Sequence, residues 1–289
     1  KLTINAQSVI LATGGFGANV EMRQEYDGIW GTLDNSIGTT NHPGATGDGV
    51  VMAEAIGAEL VGMDKIQLLP MGDPETGSLT GNIEQGVEDR IFINKEGNRF
   101  VDEGERRDVM TKALFEQTDD FMWIVVDQHS YPTGDTKNNF NETIDELVEA
   151  GRAYKADTLE ELAEAAGMDA EDLKATVERY NTMIKKGEDT DFGKASESLA
   201  YSVESGNFYA LDVRGVFLGT IGGVKVDENM QVMNTNYEFI PGLYAAGATA
   251  GGYYTGVGYP PYEGLASGFA YTSGRIAGMS AVDYVNSIK

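Results

Sequence analysis

Pro241–Met279 reads PGLYAAGATAGGYYTGVGYPPYEGLASGFAYTSGRIAGM, and the rest of the chain is organised around it. Its first apolar residues, Gly242–Ala246, have the look of a short buried strand. Gly247, Gly251, Gly252, Gly256 and Gly258 follow, and glycine turns through φ values that other residues resist. Pro260 and Pro261 stiffen the entry to a helix of small residues that begins near Gly264. A strand, a glycine-rich loop and a helix N-terminus together suit a ligand that touches backbone closely. An ordinary strand-loop-helix crossover has the same pattern, so the remaining sequence has to decide.

The chain has 289 residues, 41% of them hydrophobic and 23% charged, which suits a globular protein of one large or two medium domains. No apolar run approaches the ~20 residues of a membrane helix, so membrane insertion is not expected. The 21 basic and 46 acidic side chains give a net charge of −25, which argues against nucleic acid or an anionic membrane as partner. The sequence contains no cysteine, so disulfides, thiolate nucleophiles and Cys-ligated metals are excluded. His42 and His129 are its only histidines, which excludes a His-rich metal site. The lack of cysteine fits an exported protein slightly better than a cytosolic one. No signal peptide is visible, and the compartment stays open. The chain starts at Lys1 and enters a strand pattern at once, so it is expected to be the C-terminal portion of a longer protein.

Taken in order, Val9–Ala12 is a continuous apolar run, as in a strand covered on both faces, and Thr13-Gly14-Gly15 ends it. A second glycine-rich loop, Asn41–Gly49, leads into a helix that Asp48 is expected to cap, with Val50, Ala53, Ile56 and Gly57 on one face. It lacks the Gly-Lys-Ser/Thr ending of a P-loop. Residues 68–90 look like loop. Arg90–Phe100 is expected to form a hairpin turning at Lys95-Glu96-Gly97, and Phe121–Asp127 a buried strand. Thr158 with Glu161 and Asp169 with Asp172 mark two helix starts, and Gly167 ends the first helix. Leu173, Val177, Tyr180 and Ile184 form the core stripe of the second. Phe208–Val226 has strand character with a break at Thr220–Gly223, and Val226–Val232 is a hairpin turning at Asp227–Asn229.

Four glycine-rich segments now stand in order: VILATGGFG (9–17), HPGATGDG (42–49), GTIGGVKVD (219–227) and GLYAAGATAGG (242–252). With NRFVDEGERRD (98–108) and the helical stretch 158–193, they resemble the fumarate reductase-like FAD flavoproteins. That family includes soluble fumarate reductases, urocanate reductases and 3-ketosteroid dehydrogenases. The resemblance covers nearly the whole chain. It implies an α/β fold: a partial Rossmann-like FAD-binding domain at 1–66 and 219–289, and an inserted α+β capping domain at 67–218. The family's N-terminal βαβ unit, with Gly-x-Gly-x-x-Gly, should then precede Lys1. The missing N-terminal FAD-binding half becomes a partner, and the fragment alone is expected to hold FAD poorly or not at all.

The resemblance also assigns residues. Thr13, Gly14, Gly15, Thr46, Gly47, Asp48, Gly222, Gly247 and Ala248 would line the FAD. Gly264, Leu265 and Ala266 would aim backbone N–H groups at the pyrimidine edge of the flavin. Relatives often carry Glu or Asp where this chain has Ala248. Reduction of an activated C=C bond needs a hydride from flavin N5 and a proton, and the resemblance assigns the proton to an arginine of the capping domain. Counted from Asn98-Arg99-Phe100, that position is Arg107, with Arg106 its immediate competitor. An arginine, with a pKa above ~12, serves as an acid only when desolvated and reprotonated through neighbours. Glu103, Glu105 and Asp108 are the nearest candidates.

Leu69, Gly219 and about Pro261 stand where fumarate reductases carry histidines and an arginine for the substrate carboxylates, so fumarate is not expected as substrate. Leu68, Leu69, Met71, Tyr253, Tyr254, Tyr259 and Tyr262 suit an aromatic or polycyclic enone or acrylate, as a small-molecule substrate, better than a C4 diacid. Tyr259-Pro260 also resembles a ketosteroid-dehydrogenase segment, so an FAD-dependent ketosteroid-type dehydrogenase, with Tyr259 or Tyr262 on the ketone, is the alternative. A third reading is a non-catalytic fragment or electron-transfer flavoprotein subunit. An electron-donor domain or protein is a further implied partner.

Overall fold

A computed structural model describes residues 2–31, 33–77, 79, 90–129, 137–138, 140–255, 262 and 264–289. The first segment holds β1 (Val9–Leu11), α1 (Val20–Glu25), β2 (Gly38–Thr39), α2 (Asp48–Glu54) and β3 (Leu60–Val61), and β4 (Ile66–Gly72) leads out of it. The middle holds β5 (Ile91–Ile93), α3 (Arg107–Phe115), β6 (Phe121–Asp127), α4 (Ile144–Glu149), β7 (Ala153–Ala156), α5 (Leu159–Ala166) and α6 (Ala170–Lys186). β8 (Phe208–Thr220) leads back to β9 (Gly223–Lys225), β10 (Gln231–Met233), β11 (Phe239–Ala245), β12 (Ala250–Gly251) and α7 (Leu265–Ser287). The chain divides into two compact units, Lys1–Gln67 with Phe217–Lys289, and Leu68–Val216.

In the first unit β1 runs parallel to β11, pairing Val9 with Leu243 and Leu11 with Ala245. β10 joins β11 antiparallel, and a second small sheet runs in the order β12-β9-β3. Helix α7 lies against β11 through Ala277 and Ala281, in a cluster with Met230, Tyr244 and Ala246. Small side chains on the helix let its backbone approach the strand, and Tyr244 donates its hydroxyl to the Ser280 carbonyl at 3.1 Å.

Expectations for this unit fail at the faces of β1 and at the end of α2. Val9 and Ile10 are 48% and 39% exposed, so β1 is not covered on both faces. Its one neighbour among the described residues is β11. Helix α2 is also shorter than its apolar spacing suggests. Gly57, at φ +89°, reverses the chain, and the Ala58 amide closes onto the Ala53 carbonyl at 3.0 Å. Ile56 therefore lies beyond the helix and is exposed, while Val50 and Ala53 are buried.

In the second unit β8 pairs antiparallel with β6 over seven residues, from Phe121↔Arg214 to Asp127↔Phe208. β5 adds to the other side of β6, and β7 pairs with β8. Strand alternation sorts the side chains into two layers. Ile91, Ile93, Trp123, Val125 and Ala210 meet Leu162, Leu173, Val177, Tyr180 and Met183 of α5 and α6. Phe92, Met122, Ile124, Val126 and Leu211 meet Met110, Leu114, Ile144 and Leu147 of α3 and α4. Helices cover both faces, which is why all seven residues of β6 are buried. Thr158 accepts from the Glu161 amide, and Asp169 from the Asp172 amide. Gly167 closes α5 at φ +79°.

The expected 90–100 hairpin forms its turn but not its return strand. The Asn94 amide reaches the Asn98 carbonyl at 3.0 Å, and β5 then takes β6 as its partner. The turn is fixed from outside the hairpin: a Cβ on Gly97 would fall 2.6 Å from the Leu173 nitrogen at the start of α6. Arg99 is drawn inward, where its guanidinium is buried against Glu103 and Asp189.

Together these features give the α/β class with an inserted α+β unit. Among the described residues no helix is long and apolar enough to cross a membrane.

Candidate functional site

In the first unit two glycine-rich segments follow the carboxyl ends of the parallel pair β1 and β11. Thr13-Gly14-Gly15 follows β1, and a 3-10 turn at Gly247–Thr249 follows β11. Crevices outside such strand ends are the usual ligand sites of α/β sheets. The Thr13 amide donates to Thr249 Oγ1 at 3.0 Å, and that hydroxyl donates to the Gly14 carbonyl at 3.0 Å. Thr13 Oγ1 accepts the Gly49 amide at 3.0 Å, and the Gly47 amide donates to the Gly15 carbonyl at 3.1 Å. The Gly247 amide donates to Ser273 Oγ on α7 at 2.9 Å. Loops distant in sequence are thereby tied into one floor.

On that floor Thr13, Asp48 and Ala248 are exposed, while Gly15, Gly47 and Gly49 are packed beneath them. The N-cap of α2 is Gly47, not Asp48: Gly47 sits at φ +83°, and Asp48 is the first helical residue. The Asp48 carboxylate accepts the Thr46 hydroxyl at 2.8 Å instead of a helix amide. Its side chain in the first turn is thereby held to the loop. Gly264, at φ +73°, precedes α7 and has open space where a side chain would project. Leu265 and Ala266 begin the helix, so their N–H groups belong to its unpaired first turn.

Gly222 has a different place. A Cβ there would collide with the Gly62 carbonyl, so its role in this structure is close packing of two backbone segments. Tyr253 stacks on Phe269 of α7 with ring centroids 4.4 Å apart, and burial raises its pKa. Tyr254 is half-buried, and Tyr262 is 75% exposed. Tyr259 and Pro261 lie outside the described residues.

The remaining candidates belong to the second unit. Leu69 lies in β4 and is 2% exposed, inside the unit's core. Arg106 is the N-cap residue of α3 and Arg107 its first helical residue. Arg106 holds the Asp108 carboxylate with two bonds, Nε to Oδ1 at 3.1 Å and Nη2 to Oδ2 at 3.0 Å. Glu103 is not available as a relay to Arg107. It is 1% exposed and is shared by Arg99, Lys194 and the Phe92 amide. Glu105 accepts the Arg106 amide at 3.0 Å. Of the three relay candidates, Asp108 and Glu105 stay beside the arginine pair.

Sequence reasoning missed Thr249, Ser273 and Thr220, three hydroxyl residues of the first unit. Thr249 is wholly buried and binds residues more than two hundred positions away. Its one sequence signal is a hydroxyl among glycines and alanines.

The family model for the FAD binding domain matches residues 1–259. The chain is 40% identical over 277 residues to an NADH:acrylate oxidoreductase of Vibrio harveyi, a match covering 96% of this chain and 27% of that protein. It is 41% identical over 249 residues to a urocanate reductase of Eggerthella lenta, covering 85% of this chain and 40% of that protein. The solved open conformation of a flavocytochrome c3 fumarate reductase matches with a TM-score of 0.75 at 34% identity, over 96% of this chain and 46% of that one. The chain therefore spans less than half the length of each of these relatives. It belongs to the FAD binding domain family, and FAD is the cofactor that membership implies. The floor of the first unit fits that group. It offers an exposed, glycine-lined surface at strand ends, open space at Gly14 and Gly264, and a buried hydroxyl, Thr220 Oγ1, without a partner among the described residues.

Proposed function

We propose that the protein carrying this chain is an FAD-dependent oxidoreductase that reduces the activated C=C bond of an acrylate- or enone-type substrate, with Arg107 as proton donor. The names of the acrylate- and urocanate-reducing relatives support the substrate class. The observation that carries the mechanism is the start of α3. Two arginines stand at the positive end of the helix macrodipole, where stability alone does not favour cations. One of them, Arg106, is clamped by Asp108.

In this reading the floor of the first unit binds and orients the cofactor through Thr13–Gly15, Thr46–Asp48, Gly247–Ala248 and the amides of Gly264–Ala266. When bound and reduced, FAD supplies the hydride, and an electron-donor domain or protein outside this chain re-reduces it. Arg107 delivers the proton to the neighbouring carbon, so the double bond gains one hydride and one proton. Asp108 fixes Arg106 beside Arg107, and with Glu105 it returns the proton from solvent. The second unit acts as the cap that carries these groups, with Leu69 in its apolar wall.

The test is a substrate panel on the FAD-loaded, full-length protein with reduced viologen as electron donor. Viologen oxidation with acrylates or enones, and little with fumarate, is the expected result. Silence on every alkene would overturn the proposal. Dehydrogenation of a ketosteroid with an artificial acceptor would move it to the alternative.

A further inference from the structure

Thr13, Thr249 and Thr220 lie among the glycine-rich segments of the first unit. Two of them are saturated. Thr249 Oγ1 accepts the Thr13 amide and donates to the Gly14 carbonyl, and Thr13 Oγ1 accepts the Gly49 amide. The third, Thr220, ends β8 and is 6% exposed, yet its Oγ1 is buried with no hydrogen-bond partner among the described residues. A buried hydroxyl without a partner costs about 1–3 kcal/mol, so folded proteins rarely keep one unless something satisfies it.

The position of this hydroxyl is specified by its neighbours. A Cβ on Gly15 would collide with Thr220 Oγ1 and would lie 3.6 Å from the Ala248 methyl. Gly15 therefore leaves the space that the hydroxyl occupies, between the loop after β1 and the turn after β11. Gly15 presents no side chain there, and Ala248 presents only a methyl group. Thr220 is thus the side-chain hydrogen-bonding group at a spot where both adjacent cofactor candidates offer none. Valine would fill the same volume without the hydroxyl.

We infer that the Thr220 hydroxyl makes a hydrogen bond to the bound FAD and is a cofactor-positioning group that this chain contributes to the site. The inference rests on the reading of the first unit as an FAD site. The hydroxyl is already placed beside the loop after β1 and has no partner among the described residues.

The experiment compares wild type, Thr220→Val and Thr220→Ser in the full-length protein, stripped of FAD and titrated with it by flavin fluorescence. Thermal unfolding of the stripped forms is followed in parallel. Thr220→Val is expected to weaken FAD binding about tenfold, the effect of one lost hydrogen bond. Thr220→Ser, which keeps the hydroxyl, is expected to stay within about threefold of wild type. The stripped Val variant should unfold no earlier than stripped wild type, because its hydroxyl had no protein partner to lose. Equal FAD affinity in the Val variant would overturn the inference, and so would a stripped Val variant that unfolds earlier. Failure of wild type itself to bind FAD would instead overturn the cofactor reading beneath it.

Discussion

Arg99 grips Glu103 with two parallel hydrogen bonds, Nε to Oε1 at 2.9 Å and Nη2 to Oε2 at 2.7 Å, and both side chains are almost wholly buried. Asp189 accepts from the same Nη2 at 3.0 Å, and Lys194 closes the group at 3.3 Å from Glu103. Burial works against the Arg99 charge. The bonds to Glu103 and Asp189 more than offset it and hold the guanidinium firmly protonated. Arg99→Met would leave Glu103 and Asp189 buried with only Lys194 to balance them. Breaking a buried pair from one side costs about 3–5 kcal/mol, so urea unfolding should show a loss of that order. The double variant Arg99→Met/Glu103→Leu should recover part of it. A loss below about 1 kcal/mol for Arg99→Met would show that the cluster does not stabilise the second unit.

Asp212, opposite Trp123 on the β6–β8 pair, gives the second unit a pH dependence. Burial, reinforced by the charge of Asp73 and opposed by Arg214, pushes its carboxyl from 3.8 up to about 7. The folded state therefore holds this proton at pH values where the unfolded chain has released it. By linkage, stability falls as pH rises from about 4 to about 7 and levels off above that. Asp212→Asn removes the titration. Its thermal midpoint should be flatter than wild type across that window, with a relative gain of about 1–2 kcal/mol at pH 8 after allowing for partial solvent contact. Parallel midpoint-against-pH curves for the two proteins would contradict the assignment.

The glycines divide into two kinds that unfolding and binding measurements separate. Gly222→Ala places a methyl against the Gly62 carbonyl, a backbone atom that cannot swing aside. It should lower stability by about 3 kcal/mol or more, whether or not cofactor is present. Gly264→Ala meets open space, but it forces a positive φ on a residue with a side chain. It should cost only about 1 kcal/mol of stability. If Gly264 holds the flavin edge, the same change weakens FAD binding. The two variants trading places in an unfolding assay would reverse these roles.

What the sequence disclosed follows from how local each signal is. Phe121–Asp127 was readable because a strand buried on both faces needs an unbroken apolar run, and the caps at Thr158, Gly167 and Asp169 because each acts within four residues. The exposure of β1 was not readable. Exposure of Val9 and Ile10 depends on which strand lies beside them, and that strand is β11, more than two hundred residues away. The end of α2 was missed because the apolar spacing ran past Gly57, whose φ overruled it. The same limit applies at the site. Glycine-rich loops announce themselves, but the hydroxyls that tie them together do not. Nothing in the string pairs Thr13 with Thr249, or marks Thr220 as the unsatisfied one. Arg99 and Glu103 sit in a charged run that looks solvated, and only the fold shows them buried.

Arg106 and Arg107 are adjacent in sequence, and the structure sets them apart. Arg106 is committed to Asp108 through both ends of its fork, a geometry that fixes the start of α3. Arg107 begins the helix and carries the proposed proton transfer. Loss of a general acid typically lowers turnover by about 10²–10⁴-fold, so Arg107→Ala should fall in that range on an acrylate, with little change in KM. Arg106→Ala loses a positioning bond and should cost about tenfold, with a small loss of thermal stability. FAD content should be the same in both variants and in wild type, which separates a lost proton from a lost cofactor. Undiminished alkene reduction by Arg107→Ala, with viologen oxidation and product formation measured together, would remove Arg107 from the mechanism. A deeper loss in Arg106→Ala would transfer the role to its neighbour.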